Sequence, residues 1–294
     1  MEQIPFDKRT GTIWYNGEFV DWQDAKVHVL NHGLHYGSCV FEGERIYSGK
    51  IFKSLQHSQR LHQSAQMMDF IIPYSVEQLV IAKDQLVVKQ NIIDGYMRAF
   101  AWRGSEKMAI SAQHNSIHVA IACWTWPPYY SAEAREKGLK LKFARYRRPA
   151  PDSAPVAAKA SGLYMICTIS KHEAERDGYN DALMLDYRGY LAEATGANLF
   201  LVAKNGDLHT PLADCFLNGI TRQTVIELAK KRGINVVEKH ILPQELSNYC
   251  DAFLTGSAAE ITRINSITED YVFAKTSKLT LDLMQDYSNL VRGL

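Results

Sequence analysis

Four dipeptides, Asn16-Gly17, Ser48-Gly49, Arg188-Gly189 and Asn205-Gly206, each lie between runs rich in apolar and aromatic residues. Glycine supplies the positive φ of a tight turn, so each pair predicts two strands folded back on one another. Two further runs, "GYMRAFAWRG" and "SIHVAIACWTW", also read as strands. Helical patterns stand between them. "HSQRLHQSAQMM" brings apolar residues round at Leu61, Ala65 and Met68, and "SVEQLVIAKDQLVVKQN" opens on a capping serine, Ser75. The fold class expected is therefore α+β.

The pair Pro127-Pro128 interrupts this pattern, because neither residue can join a regular backbone ladder. It predicts a small N-terminal α/β domain over 1–127, a linker over 128–135 and a larger C-terminal domain over 136–294. In the larger part "LKLKFARYR" reads as a strand and "RRPAPDSAP" as a loop. "SGLYMICTISKHEAERDG" reads as a helix stopped by Gly178. "DALMLDYRGYLAEATGANLFLVAKNGDLHTP" reads as three strands. "TRQTVIELAKKRG" and "LPQELSNY" then read as helices, and "INVVEKHI" and "CDAFLTGS" as strands.

Composition excludes several classes of function. The 33 Lys and Arg nearly cancel the 32 Asp and Glu, and only Arg145, Arg147 and Arg148 form a basic run, so no nucleic-acid or membrane surface is expected. The five cysteines form no CxxC pair and read as free thiols of a reducing compartment. His28, His32 and His35 share their stretch with no carboxylate or thiol, so no metal site is expected. The N-terminus has no apolar signal core and no apolar run approaches the ~20 residues of a membrane span. The expectation is a cytoplasmic protein.

Lys159 is the residue that points to chemistry. In "PVAAKASGLYM" it is flanked by Ala157, Ala158 and Ala160, company that desolvates an amine, disfavours its charge and leaves it able to attack a carbonyl. Pyridoxal phosphate is the commonest partner of such a lysine, and it needs phosphate donors and a partner at its ring nitrogen. Asn218-Gly219-Ile220-Thr221 runs into a helix and offers backbone N–H groups to an anion, while Gly256 and Ser257 form a second candidate turn. Taken singly, ordinary helix capping is the commoner explanation of either turn. Glu193 stands in an apolar strand with no basic residue beside it in sequence, so either it faces solvent or it needs a cationic partner such as a protonated pyridine ring.

"HYGSCVFEGERIY", "HSQRLHQSA", "GYMRAF", "AAKASGLY", "GYLAEATGANLF", "LNGITRQTVIELAK" and "LTGSAAEIT" occur in that order over most of the chain. Together they resemble the class IV aminotransferases, and within them the bacterial branched-chain amino acid aminotransferases. The resemblance implies a two-domain fold type IV enzyme with its active site in an interdomain cleft and pyridoxal 5'-phosphate as cofactor. It implies a Schiff base on Lys159, which also acts as general acid and base, with Glu193 at the pyridine nitrogen, Tyr164 at the phenolic oxygen and Leu217 packed on the ring. Arg60, the N–H groups of Ile220 and Thr221, and the Ser257 hydroxyl would hold the phosphate.

For the substrate, the resemblance implies that Tyr96 and Arg98, with Ser257, Ala258 and Ala259, bind the α-carboxylate. Phe41, Trp126, Tyr129 and Tyr164 would wall the side-chain pocket. Tyr36, Met108 and Ile110 would come from a neighbouring subunit, implying at least a homodimer. The reaction implied is ping-pong transfer between leucine, isoleucine or valine and 2-oxoglutarate, with Arg45 and Arg98 as candidates for the distal carboxylate of glutamate. Ala99 and Ala109 stand where relatives usually have proline and glycine, which alters the pocket rim. D-amino acid aminotransferases, (R)-amine transaminases and aminodeoxychorismate lyases share the lysine and the glutamate. A non-catalytic binder of a phosphorylated ligand would use the helix-terminal turns but has no use for the desolvated amine.

Overall fold

A computed structural model describes residues 4–127 and 129–294. The fold is α+β and separates into two compact units. The first takes the chain up to Pro127 and, separately, Ala158–Gly162; the second takes residues 129–157 and Leu163–Leu294.

The first unit is built on a sheet of β1 (Thr12–Tyr15), β2 (Glu18–Asp21), β3 (Cys39–Tyr47), β4 (Lys50–Ile51), β5 (Gly95–Arg103) and β6 (Ile117–Thr125). Their order is β2-β1-β6-β5-β3-β4. All these pairings are antiparallel. Asn16 and Gly17 have φ of 49° and 96°, and Ser48 and Gly49 have 49° and 76°, so both hairpins close as the turn chemistry requires.

Helices α1 (His32–Tyr36), α2 (Ser54–Met67) and α3 (Val76–Lys89) complete the unit. Ser75 and Gln78 cap α3 reciprocally, and the helix buries Leu79, Ala82, Leu86 and Val87 along one stripe. Each such leucine contributes about 2 kcal/mol, more than the cap does. Lys83 and Glu44 are also fully buried, 2.6 Å apart, with Ser58 Oγ accepting from Lys83 at 2.8 Å.

The register of β3 against β5 sorts the side chains. Phe41, Gly43 and Arg45 oppose Phe100, Arg98 and Tyr96, so these six share one face, while Glu42 and Glu44 turn to the other, where α2 packs.

The second unit contains α4 (Ala132–Lys137), β7 (Leu139–Phe143), α5 (Tyr164–Arg176), β8 (Asp181–Leu185), β9 (Leu191–Ala194), β10 (Asn198–Ala203) and β11 (Leu208–Pro211). It continues with α6 (Ile220–Lys231), β12 (Val236–Lys239), β13 (Tyr249–Gly256), β14 (Glu260–Ile267), β15 (Tyr271–Val272) and α7 (Lys278–Arg292). Strand order is β12-β11-β10-β13-β14-β7-β8-β9, and β9 returns to β10 through the pair Glu193 and Asn198. Six strands thus close on themselves, which removes their free edges, and Leu139, Leu141, Leu183, Leu199, Leu254 and Ile264 fill the core at zero exposure.

Several elements differ from the sequence reading. "GYLAEATGANLFLVA" is two strands, β9 and β10, because residues 195–197 turn and Ala194 N–H donates to Ala197 C=O at 2.8 Å. Thr195-Gly196 was the local signal for that hairpin. "LPQELSNY" is a 3-10 helix over Pro243–Asn248, and the helix read from Ser161 starts with a 3-10 turn over Ser161–Leu163. The stretch read as a linker, 128–135, runs into α4, whose N-cap is Ser131, while its Pro128 lies outside the described residues. Ala158–Gly162 joins the first unit because Val40 bridges to Ala160 and Phe41 N–H donates to Lys159 C=O at 3.1 Å.

Among the described residues, Asp186, Asp214 and Cys215 bring metal-type ligand atoms together. Arg188 supplies the cation there, donating to Asp186 Oδ2 at 2.9 Å and Asp214 Oδ1 at 2.8 Å. No helix among them is long and apolar enough to cross a membrane.

Candidate active site

Lys159 is fixed through its backbone before its side chain does anything. Its C=O accepts from Phe41 on β3, and its N–H donates to Ser64 Oγ on α2 at 3.0 Å. The ammonium nitrogen lies 4.6 Å from the centre of the Phe41 ring. Burial pulls the pKa down to about 8; Glu42 opposes that shift and Arg60 and Arg98 assist it. At pH 7 about one amine in ten is then neutral, against roughly one in three thousand for an ordinary lysine. The small neighbours achieve what the sequence suggested, with a phenyl ring and two guanidinium groups added by the fold.

Beside Lys159 stands a network absent from the sequence reading. Glu42, with no exposed surface, accepts from Arg60 Nε at 2.7 Å, Arg60 Nη2 at 2.8 Å and His57 Nδ1 at 2.6 Å. Burial alone would push this carboxyl up, but Arg60 and His57 overcome it and hold it well below the usual carboxylate range. Arg60 is therefore presented by a fixed anion rather than by its own flexible stem. The signal was available: Glu42, Glu44 and Arg45 are three charges in one apolar strand, and alternation places two of them against α2.

On the other face of the sheet, Arg98 Nη2 donates to Tyr96 Oη at 3.2 Å and the guanidinium lies 4.6 Å from the Phe41 ring. Tyr96 Oη occupies the space where a methyl at Gly43 would sit, so the missing side chain at 43 allows the phenol in. Arg98 Nε and Arg45 Nε and Nη1 are buried with no hydrogen-bond partner among the described residues. Buried guanidinium N–H groups of this kind are positioned to receive an anion. Trp126 meets Tyr96 edge to face at 4.5 Å. Tyr36, Met108 and Ile110 are exposed, and His32 Nε2 lies 3.0 Å from Ala109 O between the last two.

In the second unit Glu193 lies on β9 with a side chain 12% exposed. Asn198 Nδ2 donates to its Oε2 at 3.0 Å, and Arg148 Nε stands 3.5 Å from its Oε1. The sequence showed no basic residue near Glu193, and the solvent-facing alternative is excluded by this burial. Arg148, buried in the loop after β7, reaches it through the fold. The Glu193 carboxyl is thus held by an amide and a guanidinium of the chain itself.

Leu217, Ile220 and Thr221 form the turn into α6. Leu217 C=O accepts from Asn198 Nδ2 at 3.0 Å. Gly219 is the N-cap of α6 and no side chain caps the helix, so the N–H groups of its first turn take no side-chain acceptor and carry the positive end of the helix dipole behind them. Ser257, Ala258 and Ala259 form the turn between β13 and β14, closed by Thr262 Oγ1 donating to Ala259 C=O at 2.6 Å. Tyr164 opens α5 and is partly buried. Tyr129 is exposed and packs edge to face on Tyr130 at 4.8 Å.

The expected site residues therefore fall into two groups. Lys159, Arg60, Phe41, Tyr96, Arg98 and Trp126 gather in the first unit, and Glu193, Leu217, Ile220 and Thr221 gather round Asn198 in the second. Glu42, His57, Gly43, Arg148 and Asn198 are the participants that sequence reasoning missed.

Within the first unit a buried amine stands beside an anchored arginine, which suits a carbonyl compound, and within the second an uncapped helix start stands beside an anchored carboxylate, which suits a phosphorylated one. Residues 39–267 match the family model for amino-transferase class IV, and the chain belongs to that family. It is 40% identical to a probable branched-chain-amino-acid aminotransferase of Rickettsia felis over 99% of this chain and 100% of that one. The crystal structure of the branched-chain amino acid aminotransferase of Escherichia coli superposes with a TM-score of 0.93 at 37% identity, covering 97% of this chain and 96% of that one. The T.th. branched-chain amino acid aminotransferase complexed with N-(5'-phosphopyridoxyl)-L-glutamate superposes at 0.91 and 33% identity, covering 97% and 95%.

Proposed function

We propose that this chain transfers amino groups between leucine, isoleucine or valine and 2-oxoglutarate with pyridoxal 5'-phosphate as cofactor. The observation that carries the reading is the Lys159 amine, held near pKa 8 beside the Arg60–Glu42 pair. The glutamate adduct in the T.th. relative supports both the cofactor and the amino donor.

The donor set fits that group. A phosphate calls for N–H donors and a cation, which the first turn of α6 and Arg60 supply, with the Ser257 hydroxyl as a further donor. A ring nitrogen that must keep its proton calls for an anion, and Glu193, with Arg148 Nε 3.5 Å from its Oε1, is assigned that role. Tyr164 and Leu217 are assigned to the phenolic oxygen and the ring face. When bound, the cofactor supplies an electrophilic carbon for the amino group and an electron sink for the carbanion left at Cα.

Lys159 Nζ would take the Cα proton of the bound amino acid and hand it on to the cofactor's carbon, and with a 2-oxo acid it would carry a proton the opposite way, to Cα. Its depressed pKa matches that task, because a base works best when poised near the working pH. Tyr96 and Arg98, with the 257–259 turn, orient the α-carboxylate, and the unmatched N–H groups of Arg45 and Arg98 receive the distal carboxylate of glutamate. Phe41, Trp126, Tyr129 and Tyr164 exclude water around a branched side chain. Tyr36, Met108 and Ile110 are assigned to the pocket of a second copy, in a homodimer at least. The free cysteines suit a cytoplasmic setting.

The test is a spectrum followed by a substrate panel. Purified protein should be yellow, borohydride should fix the label on Lys159, and Lys159→Ala should abolish turnover while retaining some cofactor affinity. L-leucine should outrun D-alanine and an (R)-amine beside 2-oxoglutarate. A colourless protein that gains no absorbance with added pyridoxal phosphate would sink the reading; preference for D-alanine would sink the substrate assignment.

A further inference from the structure

We propose that Asn198 is a positioning residue that ties the Glu193 carboxylate to the phosphate-binding turn at 217–221, so that one side chain sets the spacing between the two ends of the cofactor site. The proposal rests on the function proposed above and names a residue that the sequence reading left unassigned.

Asn198 is 5% exposed and is the first residue of β10. It pairs with Glu193 on one side and with Thr255, two residues before Ser257, on the other. It is also the residue through which β9 rejoins β10 to close the six-stranded ring. Its backbone is thus braced from both sides at the seam of the barrel.

The side chain has no spare donor. A carboxamide nitrogen carries two hydrogens. Here one goes to Glu193 Oε2 and the other to Leu217 C=O, each at 3.0 Å. Rotation of the amide would break one bond or the other. Its Oδ1 occupies the space of a methyl at Gly219, so the N-cap of α6 closes directly onto the amide. Asn218, between these two contacts, is held from the helix side by Arg222 Nη1 at 2.9 Å. The turn that presents the Ile220 and Thr221 N–H groups is therefore clamped between Asn198 and Arg222, with Glu193 on the same clamp. Charge alone does not explain Asn198: Arg148 already neutralises Glu193 at the other carboxylate oxygen. What Asn198 adds is direction and distance.

Cofactor-free protein titrated with pyridoxal phosphate and followed by absorbance provides the test, with thermal unfolding measured alongside. Asn198→Ala should weaken affinity by roughly 10–100-fold and shift the absorption maximum of the bound cofactor. Gly219→Ala, which pushes on the amide from the opposite side, should do the same to a smaller degree and guards against a failure of Asn198→Ala to fold. In a Glu193→Ala background the Asn198→Ala loss should shrink at least about fivefold, the mark of a shared contact. Lowered thermal stability with affinity within twofold of wild type and an unshifted maximum would overturn the proposal, as would additive losses in the cycle. Wild-type protein that takes up no cofactor would overturn the proposed function and this inference with it.

Discussion

In Glu42→Gln the side chain keeps its shape and loses the charge that anchors Arg60. The carboxylate accepts three hydrogen bonds, two from Arg60 and one from His57. An amide has one acceptor oxygen, so at best it keeps the two bonds at one position and turns an NH2 toward a guanidinium at the other. Arg60, with a side chain 14% exposed, then loses the counter-charge that Glu42 gives it at contact distance. Breaking a buried pair from one side costs about 3–5 kcal/mol, and the residual exposure of Arg60 favours the lower end, about 3 kcal/mol.

All five tryptophans, Trp14, Trp22, Trp102, Trp124 and Trp126, fall in the first unit, so their emission during urea unfolding reports the part of the fold that contains Glu42. With a slope of about 2 kcal/mol per molar, the midpoint should fall by about 1.5 M. The pH dependence carries a sign. The Glu42 carboxyl lies below its ordinary value of 4.5 in the folded protein, so its contribution is complete above that value and is lost as pH falls toward the folded pKa. The gap between wild type and variant should therefore be constant from pH 8 to pH 5 and narrow by about 2 kcal/mol at pH 3. A midpoint shift under about 0.3 M at pH 7, or a gap unchanged at pH 3, would refute the reasoning.

Three further outcomes are expected. Because the Lys159 amine titrates near 8, capture of pyridoxal phosphate by cofactor-free protein should accelerate about tenfold per pH unit below that value and level off above it; a plateau reached only beyond pH 10 in stopped-flow absorbance would contradict this. The same depressed pKa penalises folding at low pH and the penalty is relieved as pH rises from 8 to 10.5, so Lys159→Met should stabilise cofactor-free protein by up to about 3 kcal/mol at pH 7 and by nothing above 10.5. Gly43→Ala should displace the Tyr96 phenol from Arg98 and raise KM for amino acids about tenfold or more with the fold intact. An unaltered KM would show that Tyr96 does not help orient the substrate.

Much of the site was legible because its signals are local. Lys159 is conspicuous among alanines, and the uncapped start of α6 is written in Asn218-Gly219-Ile220-Thr221. The hairpin at 195–197 was missed because its Thr195-Gly196 signal is weaker than the Xaa-Gly turns elsewhere, and missing it hid the opposition of Glu193 and Asn198. For Glu193 the sequence leaves open a solvent-facing side chain or a cationic partner; the fold buries it and brings Arg148 to it from a loop far away in sequence.

Turn residues, caps and apolar periodicity act within a few positions, so the sequence by itself determined most of the strands, helices α2, α3, α5 and α6, the α+β class and the oddness of one lysine. Tertiary structure alone decided which charges meet: Glu42 with Arg60 and His57, Arg148 with Glu193, Asn198 with Leu217 and Glu193. The physical reason is that a buried charge or amide is stable only against a specific partner at about 3 Å. Sheet register and barrel closure select that partner, and neither is encoded by the residues next to it in the chain.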